Sequence, residues 1–439
     1  MQFLIALPFL FSISFTLGQS YPQPPKPRLN NPIDYVAWLN KTYGGSIKVN
    51  AADKYKAAFD AYVAPSPETL SKKWARGLDR SDEGGPNTAA GWVLANKRSL
   101  RLFREATEIR DCYFPRTPTE SRLLGDVLQP YLSCFRVMST LLYTKARGQF
   151  DSGNVDGAID DLILILQSAR HLYAQPSMLE YLTSHASLRL AYRAMIDWLT
   201  SGDRPLDYDS TLRRFIHEEM PLAVPRRQIV MDKAVCWDML QKMSIVDGQE
   251  TGLKTQDDLD IAVAELERLV KPYYGLYTEE YTKARKLSEE LEKLDGGFTS
   301  ETTKDGTKST DTTGKFLILS KIEDHEPGMS AFLTSGLWKI AVLHRKLMVE
   351  RNAAYTLLAI NAYKAKHGHW PKSLAVAMPG AFAAYRTDPF SGKDLVYRLD
   401  EGKPVLYSVG LDGKDDGGKR TPKSWSETGD EVFLPGPRH

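Results

Sequence analysis

The stretch of this chain best equipped for chemistry is Asp412-Gly-Lys-Asp-Asp416-Gly-Gly. Asp412, Asp415 and Asp416 stand at steps of three and four, and the glycines among them permit tight reversal of the backbone. Hard oxygens brought round one point suit Ca2+, which takes six to eight oxygen ligands in loose geometry. A solvated acidic turn is the competing reading. His367-Gly-His369 offers two imidazoles, half of a transition-metal site. No third ligand stands at a useful spacing, and the pair falls where a helix must end before Trp370-Pro371. His217-Glu-Glu219 and Asp324-His-Glu326 set a base beside carboxylates. Adjacent residues on a helix point in different directions, so both read as solvated faces. No Gly-x-Ser-x-Gly elbow supports a Ser-His-Asp triad, and no glycine loop of the phosphate-cradling kind is present. No set of catalytic residues emerges.

The elements that must position these groups are helical almost throughout. At 439 residues the chain is long for one core, so two or three units are expected. Its 42% hydrophobic and 26% charged residues argue against wholesale disorder. A net charge of +2 creates no field that would recruit nucleic acid. Residues 3–17 form an apolar run shorter than the roughly 20 residues a membrane-spanning helix needs. Followed by Gly18-Gln19-Ser20, the run reads as the apolar region of a signal peptide over 1–20, although no Lys or Arg precedes it. No later segment is apolar enough to span a membrane. Cys112, Cys134 and Cys236 are an odd number of cysteines. A Cys112–Cys134 bridge and three buried thiols are both open readings.

Residues 21–32, which open with Tyr-Pro-Gln-Pro-Pro-Lys-Pro-Arg, predict an extended, polyproline-like spacer. A helical domain over 33–295 comes next. Apolar residues at steps of three and four predict helices over 89–110, 123–150, 155–173, 178–199, 208–219, 226–243 and 256–294, with Asn154 or Asp151 capping the third of these. Residues 296–315, a run of Thr, Ser, Gly and charge, predict a disordered loop or linker. Within 316–366 a long helix is expected from 331 onward. Its apolar positions include Leu333, Leu337, Ile340, Leu347 and Leu357, and Lys339, Arg345, Lys346, Glu350 and Arg351 fill its other faces. It therefore lies on protein and not in lipid. Residues 367–439 turn to short strands, 395–398 and 405–409, joined by a hairpin at Asp400-Glu-Gly-Lys403. The fold class is mainly α, a helical array with a small C-terminal α+β module.

Two resemblances refine this picture. Ala362-Tyr-Lys-Ala-Lys-His-Gly-His-Trp-Pro371, Asp388-Pro-Phe-Ser-Gly-Lys-Asp-Leu-Val-Tyr397 and Leu406-Tyr-Ser-Val-Gly-Leu-Asp-Gly-Lys-Asp-Asp-Gly-Gly418 occur in this order. The tail they form resembles the globular domain of the major type II secretion pseudopilins. That resemblance implies that the acidic loop binds calcium with a further downstream aspartate, here Asp430, although an inserted Lys419-Arg-Thr-Pro-Lys-Ser-Trp425 lengthens the gap to it. It does not imply filament assembly, because some 300 residues of helix precede the module and no apolar helix follows the leader. Cys112-Tyr-Phe-Pro115, Gly153-Asn-Val-Asp-Gly-Ala-Ile-Asp-Asp-Leu-Ile and Gln175-Pro-Ser-Met-Leu179 are similar to bacterial envelope proteins that end in the same module. That family supplies an architecture and no mechanism. Residues 148–172 also resemble a single tetratricopeptide unit, but no second copy stands at the required period, and an ordinary helical hairpin is the simpler reading.

The expectation is an exported envelope protein, periplasmic or extracellular. Its helical domain offers a scaffolding or binding surface to another envelope protein or peptide, and calcium at Asp412, Asp415, Asp416 and Asp430 steadies its C-terminal module. The competing class is a secreted hydrolase with its active site in a groove of the helices. Two converging acids or a His–acid pair in such a groove would favour the hydrolase, and an apolar groove would favour binding. Export has a direct check. N-terminal sequencing of the protein from its native cell should find a mature chain beginning near Gln19 or Tyr21, and a retained Met1 would refute a cleaved leader.

Overall fold

The computed structural model describes residues 21–65, 88–201, 206–218, 222, 225–251, 253–271, 275–278, 280–295, 337–419 and 425–434. The signal-peptide run at 1–20, the loop at 296–315 and the Asp324-His-Glu326 cluster lie outside these residues.

Short helices α1 (Tyr35–Gly44) and α2 (Ala51–Asp60) each begin at a side-chain cap. Asp34 accepts the N–H of Ala37, and Asn50 that of Ala52. The helix expected over 89–110 is in fact two, α3 (Ala89–Ala95) and α4 (Lys97–Thr107). Asn96 makes the break. Fully buried, its Oδ1 accepts from the Val63 N–H (2.8 Å) and its Nδ2 donates to the carbonyls of Val63 (2.9 Å) and Trp92 (3.0 Å). A side-chain amide thus stands in for a strand partner, and the backbone bends to let it do so.

The helix expected over 123–150 starts later, as α5 (Tyr131–Asp151), after a 3-10 turn at Leu124–Asp126 and Pro130. Next come α6 (Val155–Tyr173) and α7 (Met178–Thr200), in consecutive hairpins with α5. Of the two candidate caps, Asn154 is used, accepting from the Gly157 N–H (3.2 Å). Helix α8 (Tyr208–His217) precedes α9 (Arg226–Thr251), which runs past the expected end at 243. The run expected over 256–294 is three helices: α10 (Gln256–Val270), α11 (Gly275–Thr278) and α12 (Tyr281–Asp295). The sequence Pro272-Tyr-Tyr-Gly275 stands at the first break.

The long helix α13 (Leu337–His367) is the axis of the molecule. Residues 349–360 are buried without interruption, so it is sheathed on all sides. Arg345, Glu350 and Arg351, which the pattern set on outer faces, are buried too, at 5%, 0% and 7% exposure. After the one-turn α14 (Leu374–Ala377) come β1 (Val396–Asp400), β2 (Lys403–Ser408) and β3 (Glu431–Leu434), an antiparallel sheet in the order β1-β2-β3. The hairpin sits where expected, with Glu401 (φ 51°) and Gly402 (φ 78°) both left-handed as a tight β-turn requires. β3, unexpected from sequence, pairs with β2 across a bulge between Leu406 and Tyr407.

One apolar core joins helices and sheet. Leu395, Leu406, Val409, Trp425 and Phe433 belong to the same cluster as Phe103, Phe135, Leu162, Tyr192 and Tyr355. A second cluster lies among α1, α9 and α10, around Tyr35, Leu39, Trp237, Leu240 and Leu259. The Pro-rich segment, which forms neither helix nor strand, is strapped down. Gln241 on α9 accepts from the N–H groups of Arg28 (2.9 Å) and Ile33 (3.0 Å) and donates to the Ile33 carbonyl (2.9 Å). Gln256 holds Leu29 and Pro27 in the same way. All three cysteines are free, so the Cys112–Cys134 bridge is not formed. Among the described residues no helix is long and apolar enough to cross a membrane.

An ionic knot seals the sheet to the helices. Arg189 and Arg193, one turn apart on α7, both reach Glu350 on α13, through Arg189 Nε (2.9 Å to each oxygen) and Arg193 Nε (2.8 Å). Arg193 Nη2 also donates to Glu431 on β3 (2.7 Å). Trp425 closes the circuit, its indole N–H on Glu350 (2.8 Å) and its backbone N–H on Glu431 (2.7 Å). Removing one partner of a buried ion pair costs about 3–5 kcal/mol, because the other charge is left unpaired. Glu350→Ala should therefore lower stability by about that much. Arg189→Ala should cost less, since its side chain is 42% exposed and Arg193 and Trp425 still donate to Glu350. Urea midpoints of the two variants test the ordering, and equal losses would refute it.

Candidate functional site

The acidic loop is built on two buried aspartates beneath it. Asp388, fully buried, accepts from the N–H groups of Phe390 and Val409 (both 3.0 Å) and so ties the turn before β1 to the end of β2. Burial raises its pKa. The chain then turns at Gly410 (φ 70°), where a Cβ would stand 2.3 Å from the Gly429 carbonyl oxygen, so no larger residue fits. Asp430 sits under the loop, its Oδ2 accepting from the N–H groups of Asp416 (3.1 Å) and Gly418 (2.7 Å). It is 2% exposed, and its Oδ1 is buried with no hydrogen-bond partner among the described residues. Burial, together with the nearby charges of Asp415 and Asp416, raises its pKa.

The other acids of the loop are engaged more locally. Asp415 Oδ1 accepts from the Tyr407 hydroxyl (2.8 Å) and the Gly417 N–H (2.9 Å). Asp412 uses both oxygens on backbone, accepting from Lys414 (3.0 Å) and Gly429 (3.3 Å). Asp416 is exposed. The fold thus brings Asp412, Asp415, Asp416 and Asp430 into one loop region without aiming all four at a point. Among the described residues no group of three or more His, Cys, Asp or Glu is disposed to hold a metal ion. As a donor set the loop suits a hard cation, and among the described residues Asp430 Oδ1 is its one buried carboxylate oxygen without a hydrogen-bond partner.

The remaining sequence candidates separate. His367 and His369 are exposed, with ring centroids 6.3 Å apart, and His369 Nδ1 donates to the Trp370 carbonyl (3.0 Å). His217 and Glu218 are hydrogen-bonded (3.2 Å) in a cleft of about 540 Å³ shared with Asp160, Arg104 and Arg213. Its acids are already matched, Asp160 by Arg214 and Glu218 by Arg170 (3.6 Å). A second cleft, of about 440 Å³, lies between α12, α13 and the strand-connecting loops, with Trp338, Val342, Leu343 and Leu411 among its walls. Sequence reasoning missed it, because its residues come from four distant stretches and carry no shared local signal.

Sequence reasoning also passed over a buried histidine pair. His185 on α7 and His344 on α13 face each other, Nε2 to Nδ1 at 3.3 Å, and the Tyr181 hydroxyl lies 2.8 Å from the same His344 nitrogen. His185 Nδ1 is 2.9 Å from the Tyr181 carbonyl, which can only accept, so this nitrogen carries the proton. Burial pushes His185 down to about 4 and His344 well below its usual value, the latter helped by His185, Arg345 and Arg351. No family model, no curated protein and no solved structure matches the chain.

The pair has a pH consequence. A histidine with a depressed folded-state pKa takes up protons on unfolding, so its contribution to stability is complete above pH 6.5 and falls away as pH drops toward 4. From pH 7 to pH 5 the loss at His185 is on the order of 2 kcal/mol. His185→Gln should lose less stability than the unaltered chain over that interval, measured by urea unfolding at both pH values. Identical pH dependence in the two proteins would contradict the account. The buried Asp238, raised to about 6, works in the opposite sense in both proteins and cancels from the comparison.

Proposed function

We propose that this chain is an exported, non-catalytic binding or scaffold protein of the cell envelope whose C-terminal module is steadied by calcium. The observation that carries the reading is Asp430 Oδ1, a buried carboxylate oxygen without a partner among the described residues, in a loop with three further carboxylates. Leaving such an oxygen dry and unpaired is costly, and protonation or a cation relieves it. A hard divalent ion suits carboxylates and backbone carbonyls in a glycine-bent loop. Asp430 would hold it from below, with Asp415 and Asp416 from the loop. Asp412 already accepts one backbone N–H on each oxygen, from Lys414 and Gly429, so its share is the smaller.

The likeness of the three C-terminal motifs to the pseudopilin globular domain supports the same reading, and so does the apolar run at 3–17, since calcium is abundant outside cells. A hydrolase built on the cleft of His217, Glu218 and Asp160 is the competing reading, and it is the less favoured because both of these acids are paired with arginines, Asp160 with Arg214 and Glu218 with Arg170.

Thermal unfolding of the full chain, with calcium and with chelator, tests the proposal. The full chain is needed because sheet and helices share one core. At a free concentration about twentyfold above the dissociation constant, calcium should add about 1.8 kcal/mol of stability. Asp430→Asn keeps an acceptor for the two backbone N–H groups but removes the charge, and should abolish the gain. Asp412→Ala should only reduce it. Coincident midpoints in calcium and chelator, with no binding heat at about 1 mM calcium, would overturn the calcium assignment.

A further inference from the structure

The cleft between α12, α13 and the loops around Leu411 and Glu427 has a composition that specifies its ligand. On α13, Lys339, Val342 with Leu343, and Lys346 stand at steps of three, four and seven, so one helix face reads cation, apolar, cation. Leu343 is 41% exposed on a helix whose next turns are sheathed completely. Trp338 stacks on Tyr281, with ring centroids 5.8 Å apart and planes at 19°, which makes a flat aromatic wall. Tyr281 is held in place by donating its hydroxyl hydrogen to the Leu411 carbonyl (2.7 Å).

The charge on this cleft is one-sided. Among the described residues that line it, Arg285, Lys339 and Lys346 face a single acid, Glu427. Arg285 shares its charge with Glu289 (3.4 Å), and Lys346 lies over the Trp425 ring (5.5 Å). Lys339 is exposed and has no ion-pair partner among the described residues. Ammonium groups flanking an apolar strip complement carboxylates that flank an apolar side chain. A phosphate-rich ligand would leave the apolar strip of Val342, Leu343 and Trp338 between the cations without a partner. A lipid surface would call for apolar groups that protrude, whereas these line a concavity. The volume, about 440 Å³, falls within the range of sites that take small ligands or a few residues of peptide.

We propose that this cleft binds a partner's acidic peptide segment with a central apolar anchor, the anchor lying on Leu343 and Trp338 and the flanking carboxylates meeting Lys339 and Lys346. This rests on the reading of the chain as a binding protein and names the chemistry of its partner. It does not depend on the calcium loop.

The test uses the full chain and two labelled hexapeptides, Glu-Glu-Leu-Phe-Glu-Glu and Lys-Lys-Leu-Phe-Lys-Lys, monitored by fluorescence anisotropy. The acidic probe should bind at least about tenfold more tightly than the basic one, with a preference that shrinks as salt is raised. Lys339→Glu and Leu343→Asp, both at exposed positions, should each weaken it by about tenfold or more without moving the thermal midpoint. Equal binding of the two probes, or none up to about 1 mM, would overturn the assignment while leaving the calcium result untouched. Capture of the chain by phosphatidylglycerol vesicles, lost in Lys339→Glu, would reassign the cleft to a membrane. The chain's own Ile322-Glu-Asp-His-Glu326 carries the same chemistry. If the acidic probe binds only once Glu323, Asp324 and Glu326 are changed to Lys, the occupant is this segment and a separate partner is refuted.

Discussion

Glu350 is a carboxylate with no exposed surface, in the middle of the long helix α13. A charge in that position is tolerated only if every lone pair finds a donor. The donors are Arg189 and Arg193 on α7 and the indole of Trp425 from the C-terminal region. Satisfying one buried charge therefore forces three parts of the chain, far apart in sequence, into a single arrangement. Arg193 carries the constraint one step further, to Glu431 and so to β3. The three-stranded sheet has strands of only four to six residues, and its apolar residues are buried in the same core as the helices. It is held because its apolar face completes the helical core and its edge is tied to Glu350.

The same logic recurs on a smaller scale. Asn96, Gln241 and Gln256 use side-chain amides to pair with backbone that no strand or helix satisfies, and Arg116 with Tyr131 does so for the buried Glu180 at the start of α7. These latches set where the loops run. Asp388 and Asp430 are the corresponding latches under the acidic loop, which is why the loop can have three glycines and still keep a defined path. Asp430 differs from the other latches in leaving one buried oxygen without a donor among the described residues. The candidate calcium site rests on that difference.

How much of this was legible depends on how local each feature is. Helices α6 and α7 repeat their apolar pattern cleanly and begin at Asn154 and Ser177, so they fall within a residue of expectation. The hairpin turn at Glu401-Gly402 was legible for the same reason. The break at Asn96 was not, because it depends on Val63, more than thirty residues away. β3 was hidden by its four-residue length and by the Pro435-Gly-Pro that comes after it. Arg345, Glu350 and Arg351 were placed on outer faces because a charged residue is usually solvated, whereas the donors to Glu350 and the rings that Arg345 and Arg351 cover, Tyr281 and Tyr385, come from distant parts of the chain. Asp412, Asp415 and Asp416 stood out as neighbours in sequence, whereas the burial of Asp430 beneath them appears only in the fold. The cleft around Trp338 and Leu343 is assembled from residues over a hundred positions apart, and no window of sequence contains it.

The central claim is that sheet and helices form one cooperative structure, locked through Glu350. Native-state hydrogen exchange measures it directly, by comparing the opening free energies of the β2 amides with those of the buried turns of α13. If the account is right, the most protected amides of Val405, Leu406 and Tyr407 exchange through the same global opening as those of Tyr355, Leu357 and Leu358, with the same dependence on denaturant. Exchange of the β2 amides through a separate opening of lower free energy, while α13 stays protected, would show the sheet to be an independent unit and would contradict the account.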